Sequence, residues 1–295
     1  IEGSTVATIT NNVMGTGSNG QPDVSKIIRV NGGGANYYVP GYIYGIWNKS
    51  TTSSMSVYSN NDFYYLHQAG SYEGGQVQVI FHNTAGPATI SGNRINGPQA
   101  NGAYYNQFGI RFEPTATTTG NVIEKNIIAG PYNNMSTSDN DGNNFGIYAR
   151  SNNGLTHSGI INKNVIWDMR SASYGGQAAT EGIYVSCIPG SGTGNGNWDI
   201  TNNMVSLKNN NSSSNCVALY GIDIALNSSS TTNGQYNTVY IGGSNGGSGL
   251  AGMDFSSFAF FRYPRGAGNV VGDKITLQNN ILINSRLVST SAVTC

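Results

Sequence analysis

The chain has 295 residues, of which 136 are Gly, Asn, Ser or Thr and only 28 are charged, 14 of each sign. Neutrality excludes a nucleic-acid binder, which needs surplus Lys and Arg to displace counterions from phosphates. Apolar runs of at most about five residues exclude a transmembrane helix, which needs roughly 20, and the scarcity of strong helix formers excludes an α-helical domain.

Disorder is excluded as well. The chain holds 18 Tyr, 9 Phe and 3 Trp, and its Ile and Val recur in a regular pattern. Taken along the chain, a first pattern reads apolar, any, Asn/Gly/Lys, Asn, any, apolar. It opens at Ile9-Thr10-Asn11-Asn12-Val13-Met14, and a further copy is expected near Asn60-Asn61. It returns at Ile90–Ile95, Ile123–Ile128, Ile161–Ile166 and Ile200–Val205, in degenerate form around Asn237-Thr238-Val239, and at Leu277–Leu282. From Asn93 onward the second asparagine steps by 33, 38, 39, 34 and 43 residues.

A second pattern interleaves with the first. It reads Gly-Ile followed by alternating side chains: Gly45-Ile46-Trp47, Gly109-Ile110-Arg111-Phe112, Gly146-Ile147-Tyr148-Ala149, Gly182-Ile183-Tyr184-Val185 and Gly221-Ile222-Asp223-Ile224. Phe258-Ala259-Phe260-Phe261 is a variant, and the isoleucines from Ile110 to Ile222 step by 37, 36 and 39. Two patterns advancing in phase mark a structural repeat.

Each Gly-Ile segment has the period-2 alternation of a strand with one buried face. The Asn pattern holds two short strand pieces around a corner, because Asn tolerates the left-handed conformation and its amide can bond the backbone or the Asn of the next coil. Short strands repeated in one direction stack in parallel, each coil covering the apolar face of its neighbour. The expected fold is all-β: a single domain over 1–295, a right-handed parallel β-helix of about seven to eight coils. Its long side loops take up the tracts 190–196, 209–215, 228–234 and 242–249. The repeat is weakest over 58–84, which reads as an irregular region.

The Ile-Thr-Asn-Asn-Val and Gly-Ile-Tyr-Val phrases resemble the right-handed β-helix repeats of the pectate-lyase-like superfamily. The last third, through Tyr236–Gly243, Ser257–Arg262 and Thr276–Asn284, is similar to Asn- and Gly-rich β-helical segments of very large surface proteins of Bacteroidetes-type bacteria. That resemblance implies an extracellular or cell-surface role. Such proteins carry a separate C-terminal sorting domain, which is not visible here, so the chain reads as a segment of something longer.

Candidate sites are sparse. Position two past each Ile faces inward and positions one and three past it face outward, which places Trp47, Arg111, Tyr148, Tyr184 and Asp223 in one outer column. Lys49, Glu113, Arg150 and Ser186 form the column beside it. Trp47, Tyr148 and Tyr184 are either a platform on which sugar rings stack or are covered by loops. Glu113 and Arg150 are candidates for a catalytic carboxylate and base; the competing reading is an exposed ion pair between coils. Asp139, Asp141 and Asn143 around Gly142 offer oxygen ligands for calcium, or form a solvated turn. Cys187 and Cys216 fall at neighbouring repeat positions, as a disulfide between adjacent coils or as two thiols. His67, His82 and His157 are isolated in sequence, as are Asp168 and Glu181. Sequons stand at Asn48, Asn134, Asn210, Asn211 and Asn227.

The functional expectation is a non-catalytic extracellular segment, structural or adhesin-like, able to stack into a fibre on neighbouring β-helical subunits. The alternatives are a carbohydrate-active enzyme of polysaccharide-lyase type, with carboxylates and a Lys or Arg converging in one groove, and a module that binds polysaccharide through the aromatic column. No transmembrane segment and no nucleic-acid partner are expected.

Overall fold

The computed structural model describes residues 6–14, 28–30, 42–68, 76–101, 106–134, 142–152, 154–171, 179–187, 196–209, 217–226, 230–245, 257–262 and 274–288. Within these residues the chain is a parallel β-solenoid without a helix. A typical coil runs Ala88–Ser91, Arg94–Asn96, Gln99–Asn101 and Gln107–Phe112, and each strand lies beside its counterpart one coil away. We call these the first to fourth sheets. The first sheet has eight strands, from Thr8–Thr10 to Lys274–Gln278, and the second carries eight from Val13–Met14 to Ile281–Asn284 plus the short Leu287–Val288. The third has five, from Ile28–Val30 to Arg170–Ser171; the fourth has seven, from Tyr42–Asn48 to Ser257–Arg262.

The corner between the first and second sheets follows from two adjacent residues. The earlier one is left-handed on all eight rungs: Asn11, Asn60, Gly92, Lys125, Lys163, Asn202, Tyr236 and Asn279 have φ between 54° and 65°. The later one is always Asn, and its side chain completes a ladder. Asn126 is representative: its Oδ1 accepts from the Asn93 backbone N–H at 3.0 Å and from Asn93 Nδ2 at 2.9 Å. Its Nδ2 donates to Asn164 Oδ1 at 3.0 Å and to the Ile90 carbonyl at 2.9 Å. All four hydrogen-bonding positions of a fully buried amide are filled. The same bonds join Asn12, Asn61, Asn93, Asn126, Asn164, Asn203, Asn237 and Asn280. Asn60-Asn61 is one of these corners, so the described part of 58–84 is an ordinary coil and not an irregular one; residues 69–75 lie outside the described residues.

Three inward columns make up much of the core. Tyr58, Ile90, Ile123, Ile161 and Ile200 stack in the first sheet. Phe63, Ile95, Ile128, Ile166, Val205 and Val239 stack in the second. Ile46, Ile80, Ile110, Ile147, Ile183 and Ile222 stack in the fourth, and every member of these columns is buried. At roughly 1.5–3 kcal/mol per buried large aliphatic side chain, these columns dominate the cohesion between coils. Gly45, Gly109, Gly146, Gly182 and Gly221 precede the fourth-sheet isoleucines because there the strand runs hard against the second sheet. A Cβ on Gly146 would stand 2.7 Å from Ile166 Cγ2 and 2.6 Å from the Gly182 carbonyl oxygen. Val79 occupies this position in Gln76–His82, which is why that strand lacks the Gly-Ile signature.

Candidate functional site

The outer face of the fourth sheet carries two long columns in register, beside the shorter one of Arg150, Ser186 and Ala225. One is Tyr44, Gln78, Phe108, Phe145, Glu181, Tyr220 and Phe258; the other is Trp47, Phe81, Arg111, Tyr148, Tyr184, Asp223 and Phe261. The inward and outward assignment made from the sequence holds, since Ile110 and Phe112 are core residues and Arg111 is not. Phe81 enters the column between Trp47 and Arg111. The signal for it was spacing alone: Ile46, Ile80 and Ile110 are 34 and 30 residues apart.

This face is aromatic but it is not an open platform. Tyr148 and Tyr184 are each 7% exposed and stack on one another at 5.2 Å between centroids, within a cluster that includes Phe108 and Phe145. Trp47 is half-buried; it stacks on Tyr44 at 4.6 Å, and the Lys49 ammonium lies 4.8 Å from its ring centre. Three rings in register are therefore present, but the two tyrosines offer little face to a sugar.

Glu113 and Arg150 do meet, as an ion pair at 3.6 Å between adjacent coils. Arg111 is the partner that sequence reasoning left out of the pair: its Nη2 bonds Glu113 Oε2 at 2.6 Å and its Nη1 bonds Gln78 Oε1 at 3.2 Å. The Arg111 guanidinium lies 4.5 Å from the Phe81 ring centre and 4.9 Å from that of Phe108, a doubly stacked cation. Arg150 also donates to the Tyr148 hydroxyl at 3.0 Å. Burial, and next the Glu113 charge, push that hydroxyl up to about 12, so Tyr148 stays protonated. Glu113 is itself buried, which corrects the expectation of an exposed pair. A carboxylate paired with two arginines is braced in place.

Two of the three histidines, isolated in sequence, come together. His82 stacks on Phe112 at 5.2 Å, and His157 stands edge-on to the same ring at 6.1 Å. Asn48 Nδ2 donates to Tyr58 Oη at 2.7 Å, Tyr58 lies 3.0 Å from His82 Nδ1, and His82 Nε2 lies 2.9 Å from the Gly86 carbonyl. A carbonyl only accepts, so the proton sits on Nε2 and Tyr58 donates to Nδ1. His157 Nδ1 pairs with Thr118 Oγ1 at 3.0 Å. Burial depresses both imidazoles to about 4, and for His157 the neighbouring His82 adds to the effect. Both are neutral structural groups at neutral pH. His67 stands apart on the third sheet.

The remaining sequence candidates fall as follows. Asp139, Asp141 and Cys216 lie outside the described residues. Asn143 Oδ1 accepts from the Ala179 backbone N–H at 2.8 Å, so its amide oxygen ties two coils together. Cys187 is buried at the end of Ala179–Cys187. Asp168 is a left-handed corner residue, φ 52°, and its carboxylate pairs with Arg170 at 2.7 Å. Glu181 is buried in the outer column between Phe145 and Tyr220. The Asn48 sequon is buried and bonded to Ser56 and Tyr58, which leaves no room for a glycan; Asn210, Asn211 and Asn227 lie outside the described residues. No group of three or more His, Cys, Asp and Glu side chains able to hold a metal occurs among the described residues, and no described helix is long and apolar enough to cross a membrane.

One open trough was missed by sequence reasoning. It lies on the outer face of the first sheet, about 470 Å³, lined by Ile160, Asn162, Lys163, Asp199, Asn202 and Asn233 among others. A second depression of about 270 Å³ shares Ile160, Asp199 and Asn233. Beside it the register between Thr118–Glu124 and His157–Asn162 shifts between Thr118 and Asn121, a bulge that dents the sheet. Asn233 Nδ2 donates to Asp199 Oδ1 at 2.8 Å. Nothing in the sequence marks this trough, because isolated amides in an Asn-rich chain carry no signal.

The chain matches no family model, no curated protein and no solved structure.

Proposed function

We propose that the chain is a non-catalytic structural or adhesin-like segment of an extracellular or cell-surface protein, with coils that supply length and stiffness. The kinship read from the repeat, to pectate-lyase-like β-helices and to the Asn- and Gly-rich surface proteins of Bacteroidetes-type bacteria, belongs to this proposal. The observation that carries it is the asparagine ladder, which runs without a break from Asn12 to Asn280 and joins every rung by bonds that are buried except at the first and last steps, where they are half-buried. A body held by one repeated bond pattern resists bending and suits a stalk. The charged groups on the outer face of the fourth sheet that were candidates for catalysis brace one another, as the Arg111–Glu113–Arg150 contacts illustrate.

A second reading, glycan binding, is favoured by the trough at Asn162, Asp199 and Asn233. Its amides and carboxylate suit hydroxyl groups, and Ile160 supplies an apolar floor. One panel of neutral and acidic polysaccharides tests both. The structural reading expects no new reducing ends, no unsaturated uronate absorbance and unretarded migration in polysaccharide-containing gels. Turnover lost in Glu113→Gln overturns it in favour of an enzyme. Retention lost in Asp199→Ala overturns it in favour of the glycan module. Surface placement is tested by protease treatment of intact producing cells, and release of these peptides only after lysis would refute it.

A further inference from the structure

We propose that the outer face of the second sheet is an adsorption surface for insoluble, uncharged polysaccharide whose β-1,4-linked chains already lie extended in a solid. This rests on the adhesin-like part of the reading above and names the face and the class of ligand.

The face is built from two outward columns across four consecutive coils. One is Ile127, Val165, Met204 and Thr238; the other is Ala129, Trp167, Ser206 and Tyr240. No shift of register interrupts them, unlike the first sheet, so both columns run straight along the solenoid. Neither column holds a charged residue. Charges stand on the flanks, where Asp168 pairs with Arg170 and Glu124 with Lys125. Four large apolar side chains are open on this one face: Ile127 is 40% exposed, Met204 56%, Trp167 48% and Tyr240 39%. Apolar exposure gathered in this way marks a contact surface.

The spacing of the two rings selects the ligand. Trp167 and Tyr240 share a column with Ser206 in register between them, so they stand about 9–10 Å apart along the axis. An extended β-1,4-linked chain advances by nearly that length for each disaccharide, and its equatorial hydroxyls leave apolar CH faces for aromatic rings to meet. An α-1,4-linked chain of the same sugar coils and keeps no such repeat in a line. Tyr240 is laid down to suit this role. A Cβ on Gly242 would stand 2.5 Å from the Tyr240 hydroxyl oxygen and 2.7 Å from its Cε1, and the Ser285 hydroxyl lies 3.1 Å from the same oxygen. The bare backbone at Gly242 thus lets the ring lie along the sheet instead of standing off it.

The dimensions set aside a second copy of this chain as the occupant. Eight rungs at the width of Ile127–Ala129 cover on the order of 400 Å², half of the ~800 Å² that each partner buries in a stable protein interface. A flat face also cannot surround a soluble chain, which would have to be ordered on binding. A chain fixed in a solid has lost that freedom beforehand, so soluble polysaccharide in a gel is not expected to retard the protein.

The test pellets the chain with microcrystalline cellulose, with chitin and with starch granules. Adsorption is expected to cellulose, to chitin or to both, which identifies the sugar, and not to starch. Trp167→Ala and Tyr240→Ala should each weaken adsorption about tenfold, with an unchanged melting temperature because both side chains are exposed. Adsorption should survive molar salt, which screens charges, and Asp199→Ala in the first-sheet trough should adsorb like the parent. No adsorption to cellulose or chitin, equal adsorption to starch, loss in salt, loss in Asp199→Ala, or undiminished adsorption of either aromatic variant overturns the proposal. Absence of adsorption leaves the non-catalytic structural reading intact, whereas polysaccharide turnover would remove that reading without affecting the Trp167→Ala difference.

Discussion

Two adjacent residues divide the labour of every corner, and they tolerate substitution very differently. The left-handed residue changes from Asn to Gly, Lys and Tyr along the chain, at a conformational cost of about 1–2 kcal/mol for the non-glycine cases. The ladder residue never changes, because an amide alone offers two donors and two acceptor lone pairs at one buried point. Asn164→Ala would strand the N–H and amide of Asn126 and remove the donors to Ile123 and Asn203. With about 1–3 kcal/mol for each buried group left unsatisfied, the expected loss is about 3–5 kcal/mol. It should appear as a lower urea midpoint with an unchanged slope, and a loss below about 1 kcal/mol would mean that water replaces the amide. Both corner residues were legible in the sequence. Their roles were not separated there, since asparagine suits the left-handed conformation and the ladder equally and φ leaves no trace in composition.

At the scale of the strand, glycine sets how close two sheets come. A Cβ on Gly182 would stand 2.3 Å from Val205 Cγ1 and 2.6 Å from the Gly221 carbonyl oxygen. The methyl group can yield but the backbone oxygen cannot without parting two rungs. Gly182→Ala is expected to cost about 1–3 kcal/mol or more. Adding Val205→Ala should recover only the part due to the side chain, as thermal melts of the single and double variants would show. Full recovery would place the whole strain on Val205. The Gly-Ile phrase announced these strands, and alternation gave the inner and outer residues correctly. What covers an outer residue is a different matter, because period 2 reports a direction and is silent about the far side. Tyr148 and Tyr184 point outward as expected and are nonetheless buried.

On the scale of the whole molecule, stacking brings together groups that are remote in the chain. His82 and His157, 75 residues apart in sequence, share Phe112 in the core. Their folded values near 4 lie below the ordinary 6.5, so the unfolded chain binds protons first as pH falls. The stability they permit is complete above about 6.5 and is lost as pH drops toward 4. Two such groups set a limiting slope of about 2.7 kcal/mol per pH unit. Denaturant melts between pH 7.5 and 4 should fall along that window, and His157→Leu should roughly halve the slope. A flat profile would mean that both imidazoles are protonated in the fold.

Sequence period and corner chemistry suffice for the solenoid, its ladder and its isoleucine columns, because each depends on residues within one coil and on a rule repeated in the next. The Arg111–Glu113–Arg150 brace, the histidine pair, the buried tyrosines and the trough at Asp199 depend instead on which side chains neighbouring coils bring face to face. Those neighbours are set by coil lengths that vary from rung to rung and by a bulge no repeat encodes. The scaffold is thus a local property of the chain, and its surface chemistry is a property of the stack.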